Sequence, residues 1–246
     1  MSRHLDQTIA DAAKDNLSFA ATLERLADLE LDARRRRSIE RRAKMLRLQG
    51  QHSIDSFHFA HHKSRQQARL RILKLLDLDF LHKGTNLVFV GNPGVGKTML
   101  AKIIGWRACQ ANHRVLFTTA MDMLNHLLAS QVDHSLVRKL RVYTEPTFLI
   151  CDELGYLSLD QQNSNLFYQV ISDRHAQKRS TAITTNTAFS DWGNILYNTT
   201  IATAIEDAWL RTRKSFSWAA RASARLVRIP PRRLNPSRLR ACAALW

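Results

Sequence analysis

The pattern of apolar and polar positions divides the chain into three parts. From Asn16 to Leu48 there is no Gly or Pro, and Phe19, Leu23, Leu26, Leu29 and Leu31 recur at roughly helical spacing. Asn16 and Ser18 carry side-chain oxygens suited to a helix N-cap. This stretch predicts helical hairpin material over residues 1–50. From 51 to 207 the pattern alternates. Stretches at 86–90, 114–119, 147–151 and 181–186 read as strands, and 98–111, 120–129 and 161–177 read as helices. Such alternation means βαβ units, hence an α/β domain with a parallel sheet flanked by helices. Residues 208–246 follow neither period and form an atypical basic tail.

Composition narrows the class. Apolar residues make up 45% of the 246, enough for a sizeable core. No apolar run approaches the roughly 20 residues of a membrane span. Residues 1–10 lack the apolar segment of a secretory signal, so a soluble cytoplasmic protein with no membrane partner is expected. Cys109, Cys151 and Cys242 are odd in number and far apart, a pattern of neither disulfides nor zinc. Cys151, inside an apolar run, reads as a small buried residue. The formal charge of +16 implies a polyanionic partner. Part of it is the run Arg34, Arg35, Arg36, Arg37, Arg41, Arg42, Lys44 and Arg47, just after the acids Glu24, Asp28, Glu30 and Asp32. A solvated charged face would look similar. The sharp change of sign favours DNA phosphates, which reward clustered Arg by releasing counterions.

The most specific chemistry lies at Gly91-Asn92-Pro93-Gly94-Val95-Gly96-Lys97-Thr98, a full match to G-x-x-x-x-G-K-[ST]. An apolar strand precedes it and a helical run follows, as a P-loop requires. The glycines let the backbone curl so that successive N–H groups face phosphate oxygens, and the helix N-terminus adds its dipole. Lys97 reaches the β- and γ-phosphates of a nucleoside triphosphate, read as ATP, and the Thr98 hydroxyl serves Mg²⁺. The strand at 147–151 ends in Asp152 and Glu153, on the side where parallel strands face their ligand. Asp152 suits the Mg²⁺ shell, and Glu153 suits a general base on the attacking water. Asn186, at the end of the next strand, could hold that water or sense the γ-phosphate; an Asn opening a turn is the plainer role. His52, His58, His61 and His62 match no zinc spacing and read as exposed linker residues. Trp106, Cys109, Leu124, Leu127 and Leu128 read as packing.

These motifs together resemble a known family, the IstB-like ATP-binding proteins of insertion sequences, relatives of the DnaC helicase loaders among the AAA+ ATPases. The resemblance spans about 17–207. Besides the P-loop it rests on Asn16-Leu17-Ser18-Phe19, Leu23-Glu24-Arg25-Leu26, His113-Arg114-Val115 and Asp152-Glu153-Leu154-Gly155-Tyr156-Leu157. It continues through Leu159-Asp160-Gln161-Gln162, Phe167 to Arg174, Thr184-Thr185-Asn186 and Phe189-Ser190-Asp191-Trp192. It implies an AAA+ fold, Lys97 and Thr98 as Walker A residues, Asp152 and Glu153 as Walker B residues, and Asn186 as sensor. It also implies ATP-dependent homo-oligomeric assembly on DNA and cooperation with a transposase. A helicase loader, or a nucleotide-dependent DNA-binding protein with impaired hydrolysis, shares the same ATP site.

The tail departs from that resemblance. The family continues past Asp207 with Arg-Leu, the Arg reaching a neighbour's γ-phosphate; here Ala208, Trp209 and Leu210 follow. From Asp207 to Trp246 there are ten Lys/Arg, one acid and no Gly, and no final strand is readable. A single added base before the codon of Ala208 lets one codon choice be read as Arg-Leu-Val-Ala-Asp-Ala-Glu-Val-Phe-Leu-Leu-Gly-Gly. The expectation is therefore that everything after Asp207 is read out of frame, with a basic DNA-binding tail as the alternative. A shifted frame would leave the P-loop strand as an exposed sheet edge.

Overall fold

The computed structural model describes residues 8–45, 53–205 and 213–217, apart from positions 13, 62, 156–157, 189–190, 198–199, 202 and 204. Asp207, Ala208, Cys242, Arg47, His52, His62, Tyr156, Leu157, Phe189 and Ser190 lie outside them, as do the side chains of Arg35, Arg42 and Lys44.

The acidic and basic stretches near the N-terminus form one continuous helix, α1 (Phe19–Met45). Ser18 caps it, its Oγ accepting the Ala21 N–H at 3.2 Å, while Asn16 sits in a left-handed turn at φ 48°. Although apolar residues recur along α1, Phe19 is 81% exposed and Leu31 62% exposed. The helix packs on the rest of the domain through only part of its surface.

Two 3₁₀ turns, Ile54–Ser56 and Phe59–His61, lead to α2 (Lys63–Leu73) and α3 (Asp79–His82). The α/β unit then runs β1 (Asn86–Val90), α4 (Lys97–Gln110), β2 (Val115–Thr119), α5 (Ala120–Val132), α6 (Leu136–Thr144), β3 (Phe148–Leu154), α7 (Gln161–Ala176), β4 (Ser180–Thr185), α8 (Trp192–Ile195) and β5 (Arg213–Ser217). The five strands lie in the order β2-β3-β4-β1-β5 and pair in parallel throughout. The four strands expected from the pattern are present. Helix α6 was not expected; it buries Leu140 and Tyr143 and exposes Val137 and Val142.

Strand β5 corrects one expectation. It pairs with β1 along its whole length, from Asn86 against Arg213 to Val90 against Ser217, so β1 is not the sheet edge. Backbone pairing needs only N–H and C=O groups, which Arg-Lys-Ser-Phe-Ser supplies as well as an apolar run does. The composition is still unusual beside a buried parallel strand, where near-continuous apolar runs are the rule.

Alternation along the strands feeds two cores. Leu87, Phe89, Phe148 and Ile150 meet α4, α2 and α3 on one face. Val88, Leu149, Cys151 and Ile183 meet α5, α6, α7 and α8 on the other. Burial pushes the Cys151 thiol up to about 12, with the Asp152 charge adding, so it stays an inert packing group. Side chains cap the helices that follow strands or loops: Thr119 accepts the Asp122 N–H, and Asp160 accepts the Asn163 N–H. Arg174 is fully buried. It donates to Thr181 Oγ1 and to the carbonyls of Tyr143, Pro146 and Ser180, joining the end of α6 to the starts of β3 and β4. Burial first, then neighbouring Arg179, lowers its pKa to about 9, which leaves it charged at neutral pH.

Candidate nucleotide-binding site

Strand β1 delivers Gly91 to the carboxyl edge of the sheet, where its N–H donates to the Thr185 carbonyl at 3.2 Å. The chain then curls through Gly94 at φ 78° and Gly96 at φ 88° into α4. Residues with a Cβ pay for such angles, and glycine does not. Val95 turns inward and is 8% exposed in the core. Lys97 folds back across the loop, its Nζ donating to the Gly91 carbonyl at 2.6 Å and the Asn92 carbonyl at 3.0 Å. Burial lowers its pKa, while Asp152 and Glu153 pull it upward. The ammonium is thus partly desolvated and held by neutral carbonyls, a ready donor for an anion.

Strand β3 brings Asp152 and Glu153 to the same edge. Asp152 is 4% exposed, and its Oδ1 accepts the Thr98 hydroxyl at 2.9 Å. The register between β3 and β4 shifts between Cys151 and Leu154. At that irregularity Glu153 adopts φ 61°, a left-handed conformation uncommon for a side chain of its size. Its carboxylate is turned out of the sheet and exposed.

Thr184, buried on β4, bridges these groups: its hydroxyl donates to Asp152 Oδ1 and accepts the Glu153 N–H at 3.0 Å. Its role was missed in the sequence because the contact spans some thirty residues and two strands. The Thr-Thr-Asn sequence marked the place without the reason.

Pro93, Gly94, Gly96, Lys97 and Thr98 line a cleft of about 280 Å³, together with Glu153, Thr184, Thr185 and Asn186. Asn186 is exposed at its rim, its Oδ1 accepting the Thr187 hydroxyl at 3.2 Å. The structure therefore brings the P-loop, both acids and Asn186 together.

The arginines lie apart from this cleft, on α1. Arg34, Arg36, Arg37 and Arg41 are exposed. Glu30 takes Arg34 Nε at 2.9 Å and Arg37 Nη2 at 3.5 Å. The Arg34 hydrogen bond, helped by the charge of Arg37, holds the Glu30 carboxyl below its usual range. Such exposed pairs contribute little and exchange readily for phosphates. His58 and His61 are exposed, and no metal-binding cluster occurs among the described residues. No helix there is long and apolar enough to cross a membrane.

Residues 1–220 match the family described as IstB-like ATP-binding protein. The chain belongs to that family. It is 37% identical over 199 residues to an ATP-binding protein named for insertion sequence IS5376 of Geobacillus stearothermophilus, covering 81% of this chain and 78% of that one. It is 35% identical over 207 residues to one named for IS232 of Bacillus thuringiensis subsp. berliner, covering 84% and 82%. The crystal structure of the DnaC helicase loader superimposes with TM-score 0.59 at 23% identity, over 68% of this chain and 96% of that chain. Replication initiator DnaA bound to AMPPCP and single-stranded DNA gives TM-score 0.56 at 14% identity, over 69% and 51%. The fold of this IstB-like protein is that of the AAA+ P-loop NTPases.

Proposed function

We propose that this chain is a cytoplasmic ATPase that assembles on DNA as a homo-oligomer and assists a transposase in moving an insertion sequence. One observation carries the ATPase reading: the Thr98 hydroxyl meets Asp152 at 2.9 Å, beside a P-loop lysine and a carboxylate exposed at the mouth of one cleft. The backbone N–H groups of the loop bind the phosphates of ATP, and Lys97 exchanges two carbonyls for β- and γ-phosphate oxygens. Thr98 and Asp152 would hold Mg²⁺. A hydroxyl and a carboxylate oxygen from two different elements suit a cation that takes few protein ligands and keeps its waters. Bound there, it would neutralise charge on the phosphates. Glu153 accepts a proton from the attacking water, and Asn186 orients that water or the γ-phosphate. The products are ADP and phosphate.

The exposed arginines of α1 and the insertion-sequence names of the relatives support the DNA and transposase parts. A helicase-loader role rests on fold likeness to DnaC alone, at 23% identity. Hydrolysis is expected to be slow, because Ala208 stands where the family carries its trans-acting Arg, and such residues contribute on the order of 10³-fold or more. The test is a pair of variants. Lys97→Ala should lose ATP binding, and Glu153→Gln should keep binding and lose turnover. If Glu153→Gln abolished binding instead, the assignment of Glu153 as base would fail. DNA-dependent ATP turnover and capture of the transposase encoded beside the gene then test the remainder.

A further inference from the structure

The segment between α1 and β1, whose histidines alone were read from the sequence as linker residues, closes over the outer side of the P-loop. Its 3₁₀ turns and α2 place Phe57 and Arg65 against Gly94, Val95 and Gly96. Arg65 is 6% exposed. Its Nε donates to the Val95 carbonyl at 2.9 Å, Nη1 to the His58 carbonyl at 3.2 Å and Nη2 to the Gly94 carbonyl at 3.5 Å. The guanidinium lies 4.6 Å from the centre of the Phe57 ring. A Cβ on Gly96 would meet Arg65 Nη2 at 2.5 Å and Phe57 Cε2 at 3.1 Å. The loop and the arginine are therefore fitted to one another.

A trans peptide points its C=O and N–H in opposite directions. Drawing the Gly94 and Val95 carbonyls outward turns the N–H groups of Val95 and Gly96 the other way, into the cleft. The two flanking glycines lose the most conformational freedom when ordered, so a loop this rich in them gains most from an external restraint. A guanidinium suits the task. It is always charged, and its fork can hold several carbonyls at once. No carboxylate pairs with Arg65 among the described residues, so its charge adds to the positive potential behind the loop.

We propose that Arg65 is a positioning residue for the nucleotide: a cationic clamp that fixes the P-loop with its N–H groups facing the phosphates. The proposal rests on the P-loop being a nucleotide site. It is tested on the full chain with Arg65→Ala, Arg65→Lys and Lys97→Ala, using fluorescence titration with N-methylanthraniloyl ATP and thermal melts without nucleotide. Arg65→Ala should weaken binding about tenfold or more, the effect of losing hydrogen bonds from a charged donor. Arg65→Lys keeps the charge but loses the fork, and should bind more weakly than wild type and more tightly than Arg65→Ala. If Arg65 merely held α2 in place, the melting point and the amplitude of the titration would fall while the Kd of the folded molecules stayed at the wild-type value; that result overturns the proposal. Should Arg65→Ala fail to fold, Arg65→Lys decides by the same criterion. If Lys97→Ala loses binding and both Arg65 variants keep it, only the clamp is wrong. If all three bind like wild type, the nucleotide reading itself falls.

Discussion

Thr184→Val tests the bridge that joins the two acids of the cleft. Thr184 is 1% exposed, and valine replaces its hydroxyl with a methyl of similar size. The change removes two hydrogen bonds. Asp152 loses one donor and keeps Thr98 at 2.9 Å, while the Glu153 N–H loses its acceptor at 3.0 Å. Leaving a buried partner unsatisfied costs about 1–3 kcal/mol, with bonds to a charged group at the upper end. The two bonds share one hydroxyl, so their losses do not simply add. Burying the extra methyl returns on the order of 1 kcal/mol. The net expectation is a loss of about 2 kcal/mol, read as a lower urea midpoint for the full chain without nucleotide. A second effect follows from Glu153 at φ 61°. Such conformations cost about 1–3 kcal/mol and persist only where the surroundings hold them. Without Thr184 the carboxylate should drift, so single-turnover hydrolysis should fall more than ATP affinity does. Thr184→Ser keeps the hydroxyl and should restore most of both. A Thr184→Val protein within about 0.5 kcal/mol of wild type, with unchanged turnover, would refute the reasoning.

Replacing Arg34 to Arg37 together should weaken binding to all DNA sequences alike and flatten its salt dependence; a loss confined to one sequence would argue for base readout. Arg174→Met should destabilise the chain by about 3 kcal/mol or more, because several buried acceptors lose their donor at once; a change under about 1 kcal/mol would show that the site collapses or hydrates. Burial, then the charge of His82, lowers the pKa of His113 below its ordinary value of 6.5. The folded state thus binds fewer protons than the unfolded one, and stability is lost as pH falls below about 6.5. Urea midpoints between pH 5 and 7 should fall less steeply for His113→Gln than for wild type. The gene should carry an open alternative frame after the codon of Asp207; early stops in that frame, or robust DNA-stimulated hydrolysis by this chain, would sink the frame-shift proposal.

What could be read from the chain alone is what is contiguous in it. The P-loop is a strand, a turn and a helix start within a dozen residues, and its glycines, lysine and threonine act where they stand. The acids at the carboxyl end of β3 were legible for the same reason, since a parallel strand presents that end to the ligand. Strands β1, β2 and β3 showed through their apolar runs, as packing between two helical layers demands, and β4 through its β-branched residues. Strand β5 did not, because it is placed by backbone pairing with β1, and Arg213 to Ser217 carry no such run. Nor did the bridge from Thr184 to Asp152 and Glu153, or the hold of Arg65 on Gly94 and Val95. A threonine in a strand and an arginine in a linker look ordinary in sequence. Only the packing of distant segments gives each a buried partner, and a hydrogen bond made in the dry interior exists only after the chain has brought its two ends together.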